Sequence, residues 1–330
     1  MGIVASNYNA RRMQLLTSIE SLQSIASHWD ELWRRAPGAT PFQSPHWLLP
    51  WWKHFGSGGE LAVVHAANAL APLYILRDED SGESLGMFLG TGISDYLDIL
   101  GDDADALVAC ALETDCQFWD LQQLRPSSPL LTAALPDGWS DNAEEMEPCP
   151  VLSIEHAGEE LSNLLSTHAR KKLRYYRRAV AREASVTYES ATRESIDELL
   201  TALYALHAAR WERRGLPGVL ADDVVQSFHR EVAPRMLDAG ALRMHAMRMN
   251  ERIVAVFYGF AHQGTTFYYL SGFDPELDRL SLGSILVAHA VEEAVREGGT
   301  TFDFLRGAEE YKYAWGATDR VNRRRQLFRG

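Results

Sequence analysis

The chain has 330 residues, more than one ordinary domain and close to two of about 150. With 46% hydrophobic and 23% charged residues it can bury sizeable cores, which excludes a disordered tail, and no apolar run reaches the roughly 18 residues of a membrane span. Residues 1–150 hold 7 Lys/Arg against 21 Asp/Glu and residues 151–330 hold 25 against 24, so the net charge of −13 lies in the first half and excludes a protein that coats DNA.

In chain order, Met13–Leu16 reads as a strand and Ser18–Arg35 as a helix opened by a capping box of Thr17 and Glu20. A second helix, Pro45–Phe55, has Ser44 as its cap and a bend at Pro50. Strands follow at Leu61–Ala66, Ala71–Arg77 and Ser84–Leu89, with Asp95–Leu100 continuing or adding to the sheet. A helix at Asp103–Glu113, a strand at Phe118–Leu124 and the proline-rich turn RPSSP complete this half. The stretch GTGISD (90–95) lacks the third glycine and the following helix of a dinucleotide fingerprint.

The second half begins with a strand at Val186–Ser190 and a helix at Arg193–Arg214, where Ile196, Leu199, Leu200, Leu203, Leu206 and Trp211 fall on or near one face. Asp222 caps a helix reaching about Leu237. Three strands follow, Ala241–Met249, Arg252–Ala261 and Thr265–Ser271, with turns at Asn250-Glu251 and His262–Gly264. A helix over Leu282–Arg296 ends at Gly298-Gly299. A strand at Thr301–Leu305, a short helix near Ala308–Trp315 and a strand near Val321–Phe328 close the chain.

The two halves share an element order although their sequences differ. We read a tandem duplication of one α/β unit, each copy a mixed central sheet flanked by helices, with domains at residues 1–155 and 156–330 and a seam between Pro148 and Arg170. Cys110, Cys116 and Cys149 form no C-x-x-C pair, so neither a disulfide framework nor a zinc site is expected, and no metal. The first residues lack the apolar core of a signal peptide, so a cytoplasmic location is expected.

This order of elements, together with PFQSPHWLLPWWKHFG (41–56), SDYLDIL (94–100), LHAARWERRG (206–215), YYLSGFDPELDRLSLGSIL (268–286) and FDFLRGAEEYKYAWG (302–316), resembles the CelD/BcsL group of GNAT-like acetyltransferases. That group is related to the Fem-type aminoacyltransferases through a doubled architecture. The resemblance implies tandem GNAT folds in which acyl-CoA (acetyl or longer) lies between two splayed strands, its pyrophosphate on the helix after the first of them.

The residues suit such a site. The strand ending near Ser271 leads through a turn into the helix opened by Ser281, Leu282, Gly283 and Ser284, and a helix N-terminus offers unpaired N–H groups to a phosphate. Arg279 adds a positive charge; an ordinary helix capped by Ser281 is the other reading of this turn. Against the R/Q-x-x-G-x-G/A signature, Arg279 fits, while Leu282 and Ser284 stand at the glycine positions. In the first half the equivalent turn, LGDDADAL, sets Asp102, Asp103 and Asp105 at the helix start, where they would repel a pyrophosphate. The first unit is therefore read as a non-catalytic copy that shapes the substrate cleft.

Acyl transfer to an amine needs a base, a donor for the thioester oxygen and an acid for the leaving thiolate. The fold implies an oxyanion donor on the backbone near Leu270, Ser271 and Gly272. Asp303, Glu309, Glu310 and His207, which lie in these family-like stretches, are base candidates. Asp303 suits either a cleft or a capped loop, and His207 either the site or the packing of its helix. Tyr311 is the general acid by resemblance, and Tyr268, Asp95, Arg306 and Lys312 are the substrate-facing residues it implies.

Two basic clusters, Arg170–Arg182 and Arg320–Arg329, offer contacts for a small polyanion. The first also reads as a solvated amphipathic helix, or as a peripheral membrane or RNA contact. The expected function is N-acyl transfer from acyl-CoA to a primary amine of a small molecule, amino sugar or amino lipid, by direct attack in a ternary complex. A Fem-type transferase using aminoacyl-tRNA and a non-catalytic scaffold in polysaccharide synthesis are the alternatives.

Overall fold

The computed structural model describes residues 13–78, 80–155, 161 and 164–330. The first half runs β1 (Gln14–Leu16), α1 (Ile19–Ser24), α2 (Ala26–Arg35), α3 (Pro45–Phe55), β2 (Gly59–Leu61), β3 (Val63–Ala66), β4 (Ala69–Ala71), β5 (Leu73–Arg77), β6 (Ser84–Phe88), α4 (Ala104–Leu112), β7 (Phe118–Leu124) and β8 (Trp139–Ser153). The second runs α5 (Thr167–Glu183), β9 (Val186–Ser190), α6 (Ile196–Glu212), α7 (Asp223–Asp238), β10 (Leu242–Met249), β11 (Arg252–His262), β12 (Thr265–Phe273), α8 (Leu282–Arg296), β13 (Thr301–Asp303), α9 (Glu310–Tyr313) and β14 (Thr318–Arg329). No helix among the described residues is long and apolar enough to cross a membrane.

Eleven strands form one mixed sheet in the order β2-β5-β6-β7-β14-β8-β13-β12-β11-β10-β9, and β1, β3 and β4 make a small separate sheet. Each half contributes one parallel pair at its centre: β6 with β7 and β12 with β13. Each half also gives its last strand to the other. Thus β8 pairs with β13, β14 pairs with β7, and the two exchanged strands pair with each other from Thr318–Val151 to Arg329–Trp139. The chain near residue 155 leaves a strand that belongs to the first half by sequence and to the second by pairing.

The halves also share a core. On α3, Trp47 meets Phe228 of α7 at 4.9 Å and Phe260 of β11 at 5.6 Å between ring centroids, while Trp33 of α2 stacks on His262 at 4.2 Å. Such edge-to-face and stacked contacts bind two amphipathic layers more tightly than area alone.

Several sequence expectations need correction. The helix expected over Ser18–Arg35 is broken at Ile25, and its cap is Ser18, which accepts from the Ser21 N–H, instead of Thr17. The strand expected over Leu61–Ala66 divides between the two sheets. Residues 95–100 form no strand and bridge to the small sheet at Leu70 and Leu100. The 15-residue β8 is not legible in the sequence, because WSDNAEEMEPCPVLS is acidic, holds two prolines and has few strand formers. Its partner supplies what it lacks. Glu145, Glu144 and Asp141 on β8 pair with Arg323, Arg324 and Arg325 on β14, and Arg324 also grips Asp120 of β7. The basic cluster at Arg320–Arg329 is therefore largely matched within the sheet and is no polyanion site.

Burial pushes His207, His245 and His262 down to about 4 and His229 to about 3, and pushes Asp98 and Asp303 up to about 6. The neutral native histidines give stability that is complete above pH 6.5 and is lost as pH falls toward 4, since the unfolded chain then binds more protons. The two carboxyls act oppositely, because the native state holds their protons as pH falls from about 6 to 4. The histidines are more numerous and more strongly shifted, so they prevail. The expected outcome in urea denaturation is a nearly constant stability between pH 7 and 8 and a loss on the order of 5 kcal/mol by pH 5.

Candidate functional site

The parallel pairing of β12 with β13 covers only Thr265–Phe267 opposite Thr301–Asp303. Beyond it the strands part. β13 stops because Leu305 adopts a left-handed conformation, φ 58°, held by its N–H donating to the Asp303 carboxylate at 2.9 Å. Opposite, a bulge leaves Tyr269 with no partner on β11, since Tyr268 pairs with Gly259 and Leu270 with Tyr258. The backbone edge of β12 from Tyr268 onward is thereby open toward the gap.

Two cavities fill this gap. The larger, about 790 Å³, lies between β12, α6, the 304–312 segment and residues 92–95 of the first half. The smaller, about 310 Å³, lies over the first turn of α8 and is lined by Phe273, Ser281, Leu282, Gly283, Ser284 and Trp315 among others. Arg210, Tyr268 and Tyr311 line both and form the passage between them.

At the smaller cavity, Ser281 is left-handed with φ 51° and its side chain makes no cap bond. The first N–H groups of α8, on Leu282 and Gly283, have no backbone acceptor among the described residues, so the positive end of the helix faces the cavity. A Cβ on Gly283 would come within 3.0 Å of the Phe273 ring. Arg279 points elsewhere: it is tied to Glu183 at the end of α5. Gly272 serves packing, with an added Cβ only 2.8 Å from that of Leu206 on α6.

The larger cavity gathers most of the expected catalytic and substrate residues. Leu270 and Ser271 line it, and the Tyr268 hydroxyl lies 2.5 Å from that of Ser271. Desolvation of its hydroxyl in the cleft, with Tyr268 and Glu309 beside it, raises the Tyr311 phenol above its ordinary value although 42% of the residue stays exposed, and like any tyrosine it is a protonated donor at neutral pH. Glu309 caps α9 and pairs with Lys312 at 2.9 Å. Asp95 accepts from Arg306 Nε at 2.8 Å on the wall supplied by the first half. Lys312, at the cavity edge, is buried, and its ammonium donates to the carbonyls of Leu305, Arg306 and Gly307 at 3.2, 2.6 and 3.0 Å. It shapes the 305–309 segment and has no donor left for a ligand.

Asp303 is the exception. It is fully buried, lines neither cavity, and accepts from Tyr96 at 2.8 Å, from the Leu305 N–H and from Arg320 at 3.3 Å. Alternation with Phe302 and Phe304 turned it toward the first half, away from the cleft.

Residues that sequence reasoning passed over also line the larger cavity. On α6 these are Arg210 and Trp211, just beyond its end Arg214, and on α7 it is His229. His207 and Arg210 stand three residues apart, one helical turn, a spacing visible in LHAARWERRG. The His207 ring, only 3% exposed, has no partner for Nδ1 among the described residues, nor has Arg210 for Nε. Arg210 lies over the Phe273 ring at 4.6 Å. In the first half, by contrast, Asp103 caps α4 without a side-chain bond and Asp105 accepts from the Ala134 N–H at 2.8 Å. Among the described residues no group of His, Cys, Asp and Glu could hold a metal ion.

Residues 167–313 match the family model of the acetyltransferase (GNAT) domain. No curated protein matches the chain in sequence. Among solved structures the fold is similar to FemX, with TM-score 0.68 and 13% identity over 95% of this chain and 96% of that one. It is also similar to a conserved protein of unknown function from Bacteroides thetaiotaomicron, with TM-score 0.63 and 13% identity over 96% and 100% of the two chains. A third is the C-terminal domain of a putative lysylphosphatidylglycerol synthetase from Agrobacterium fabrum, with TM-score 0.57 and 13% identity over 93% and 92%. At such identities the likeness is one of fold.

Lys312 is the group on which the shape of the cleft wall rests. Lys312→Met is expected to cost about 3 kcal/mol or more, since it leaves buried carbonyls without a donor. Hydrogen exchange should show the loss concentrated in residues 304–310, with α8 and β11 unaffected.

Proposed function

We propose that the chain, whose residues 167–313 match the acetyltransferase (GNAT) domain, is an acyltransferase that moves an acetyl or longer acyl group from acyl-CoA to a primary amine, in the manner of the CelD/BcsL group. The acceptor is a small amine, amino sugar or amino lipid. The observation that carries this reading is the meeting of two cavities at Tyr311, one over the start of α8 and one facing the first half. A donor and an acceptor held in separate cavities meet at one point, which suits direct attack in a ternary complex.

The α8 turn fits a pyrophosphate through the N–H groups of Leu282 and Gly283. The open edge of β12 near Leu270–Gly272 presents backbone N–H groups to the thioester oxygen. Tyr311, kept protonated, gives its proton to the departing thiolate. Glu309, on the cleft wall, receives the proton of the acceptor ammonium. Asp303 and Lys312 act through the 305–309 segment they hold. Residues 1–155 supply the opposite wall through Asp95 and carry no second donor site, since Asp102, Asp103 and Asp105 crowd the equivalent helix start.

The scaffold reading draws on Leu282 and Ser284 at the signature's glycine positions and on the diversion of Arg279 to Glu183. Calorimetric titration with CoA, acetyl-CoA and a long-chain acyl-CoA decides between them. Micromolar binding is expected, weakened at least about 100-fold in Gly283→Asp, whose carboxylate would face the phosphates. Absence of binding to the wild type would favour the scaffold. In turnover assays Tyr311→Phe is expected to lower kcat by about 10²-fold or more with little change in the KM for acyl-CoA.

A further inference from the structure

We infer that the acceptor bears an acidic group, a carboxylate or a phosphate, beside its amine, and that His207 and Arg210 on α6 hold that group in the larger cavity. The inference rests on the acyltransfer reading for the word acceptor, but the subsite stands on the geometry of α6 alone.

His207 and Arg210 lie one turn apart on the face of α6 that lines the cleft. Each keeps a buried nitrogen, Nδ1 and Nε, without a hydrogen-bond partner among the described residues. Buried donors left unmatched are rare in folded proteins and ask for a ligand. Of the arginines on this stretch, Arg213 pairs with Asp278, whereas Arg210 and Arg214 have no carboxylate partner among the described residues. Of the cleft carboxylates, Asp95 is engaged by Arg306 and Glu309 by Lys312, and neither Glu147 nor Glu310, which also line the cavity, forms an ion pair with these arginines. A neutral imidazole N–H beside a guanidinium is a pair of donors that matches the two oxygens of an oxyacid. His207 and Arg214 line only the larger cavity, so the subsite extends on the acceptor's side and away from the α8 turn.

The test is ligand-observed NMR on the protein without CoA, using three pairs of amines: β-alanine with propylamine, lysine with cadaverine, and glucosamine 6-phosphate with glucosamine. In at least one pair the acid-bearing member should bind about 100-fold more tightly than its neutral partner. Arg210→Gln and His207→Gln should each erase most of that preference. Circular dichroism confirms the fold of each variant, and Arg210→Gln carries the test if His207→Gln does not fold. Equal binding within every pair, binding by no acid-bearing amine, or a preference that survives in Arg210→Gln would overturn the inference. So would a finding that Arg210→Gln weakens only CoA, as seen by calorimetry, because the guanidinium would then belong to the pyrophosphate. Failure of CoA to bind the wild type would count against the acyltransfer reading and leave the amine comparison readable.

Discussion

The pairing of β8 with β14 is the constraint from which the rest of the molecule follows. These two strands come from opposite halves, and their ladder forms the centre of an eleven-stranded sheet. Neither is a strong strand by composition. Carboxylates on β8 and β7 face arginines on β14, and the partly buried ones carry the most weight. Arg325, 4% exposed, is held by Asp141 at 2.7 Å and by the carbonyls of Leu130 and Ala133, so its desolvation is matched by a full set of acceptors. Asn322, also buried, reaches the Asp95 carbonyl at 3.0 Å and the Gln123 side chain at 2.9 Å. The ladder thus joins directly to the segment that walls the cleft.

From that ladder the gap between β12 and β13 is set. β8 holds β13 through three residue pairs, and β13 ends where Asp303 and Leu305 turn the chain aside. Lys312 then gathers the carbonyls of the following residues around one ammonium. A buried carboxylate and a buried ammonium, neither exposed to solvent, between them decide where Arg306, Glu309 and Tyr311 stand. The first half repeats the parallel pair in β6 and β7, yet its following helix start is acidic. One architecture therefore carries two different electrostatic environments at equivalent places.

Much of this was legible from residue order. Local patterns place α6, α7 and α8, the Asp222 cap, the Ser44 cap and the hairpins of β10 to β12 within a few residues, because these elements follow from periodicity and turn chemistry between near neighbours. The α8 turn and Tyr311, singled out from the sequence, line the two cavities. Features made by distant partners were not. β8 becomes a strand only through β14, the charge of Arg320–Arg329 is matched only by residues far back in the chain, and Lys312 reads as a ligand until the carbonyls curled around it are seen. Asp303 stays open between cleft and capped loop for the same reason, since alternation tells which face it takes but not what covers that face. His207 and Arg210 were written one turn apart in plain view. Their empty hydrogen-bonding positions are a property of the assembled cleft.

The exchanged strands also bear on how the molecule is made. Phe118 of β7 pairs with Phe328 of β14, so the first half lacks one of its central strands until nearly the whole chain has been synthesised. At translation rates of 5–20 residues per second that wait is on the order of 10–40 s, during which the edge of β7 and the acidic β8 stand unpaired. The dense carboxylates of β8 keep such an edge soluble and repel a second copy of themselves, as charged edge strands do. The same residues that later lock the sheet serve first as its guard on the ribosome.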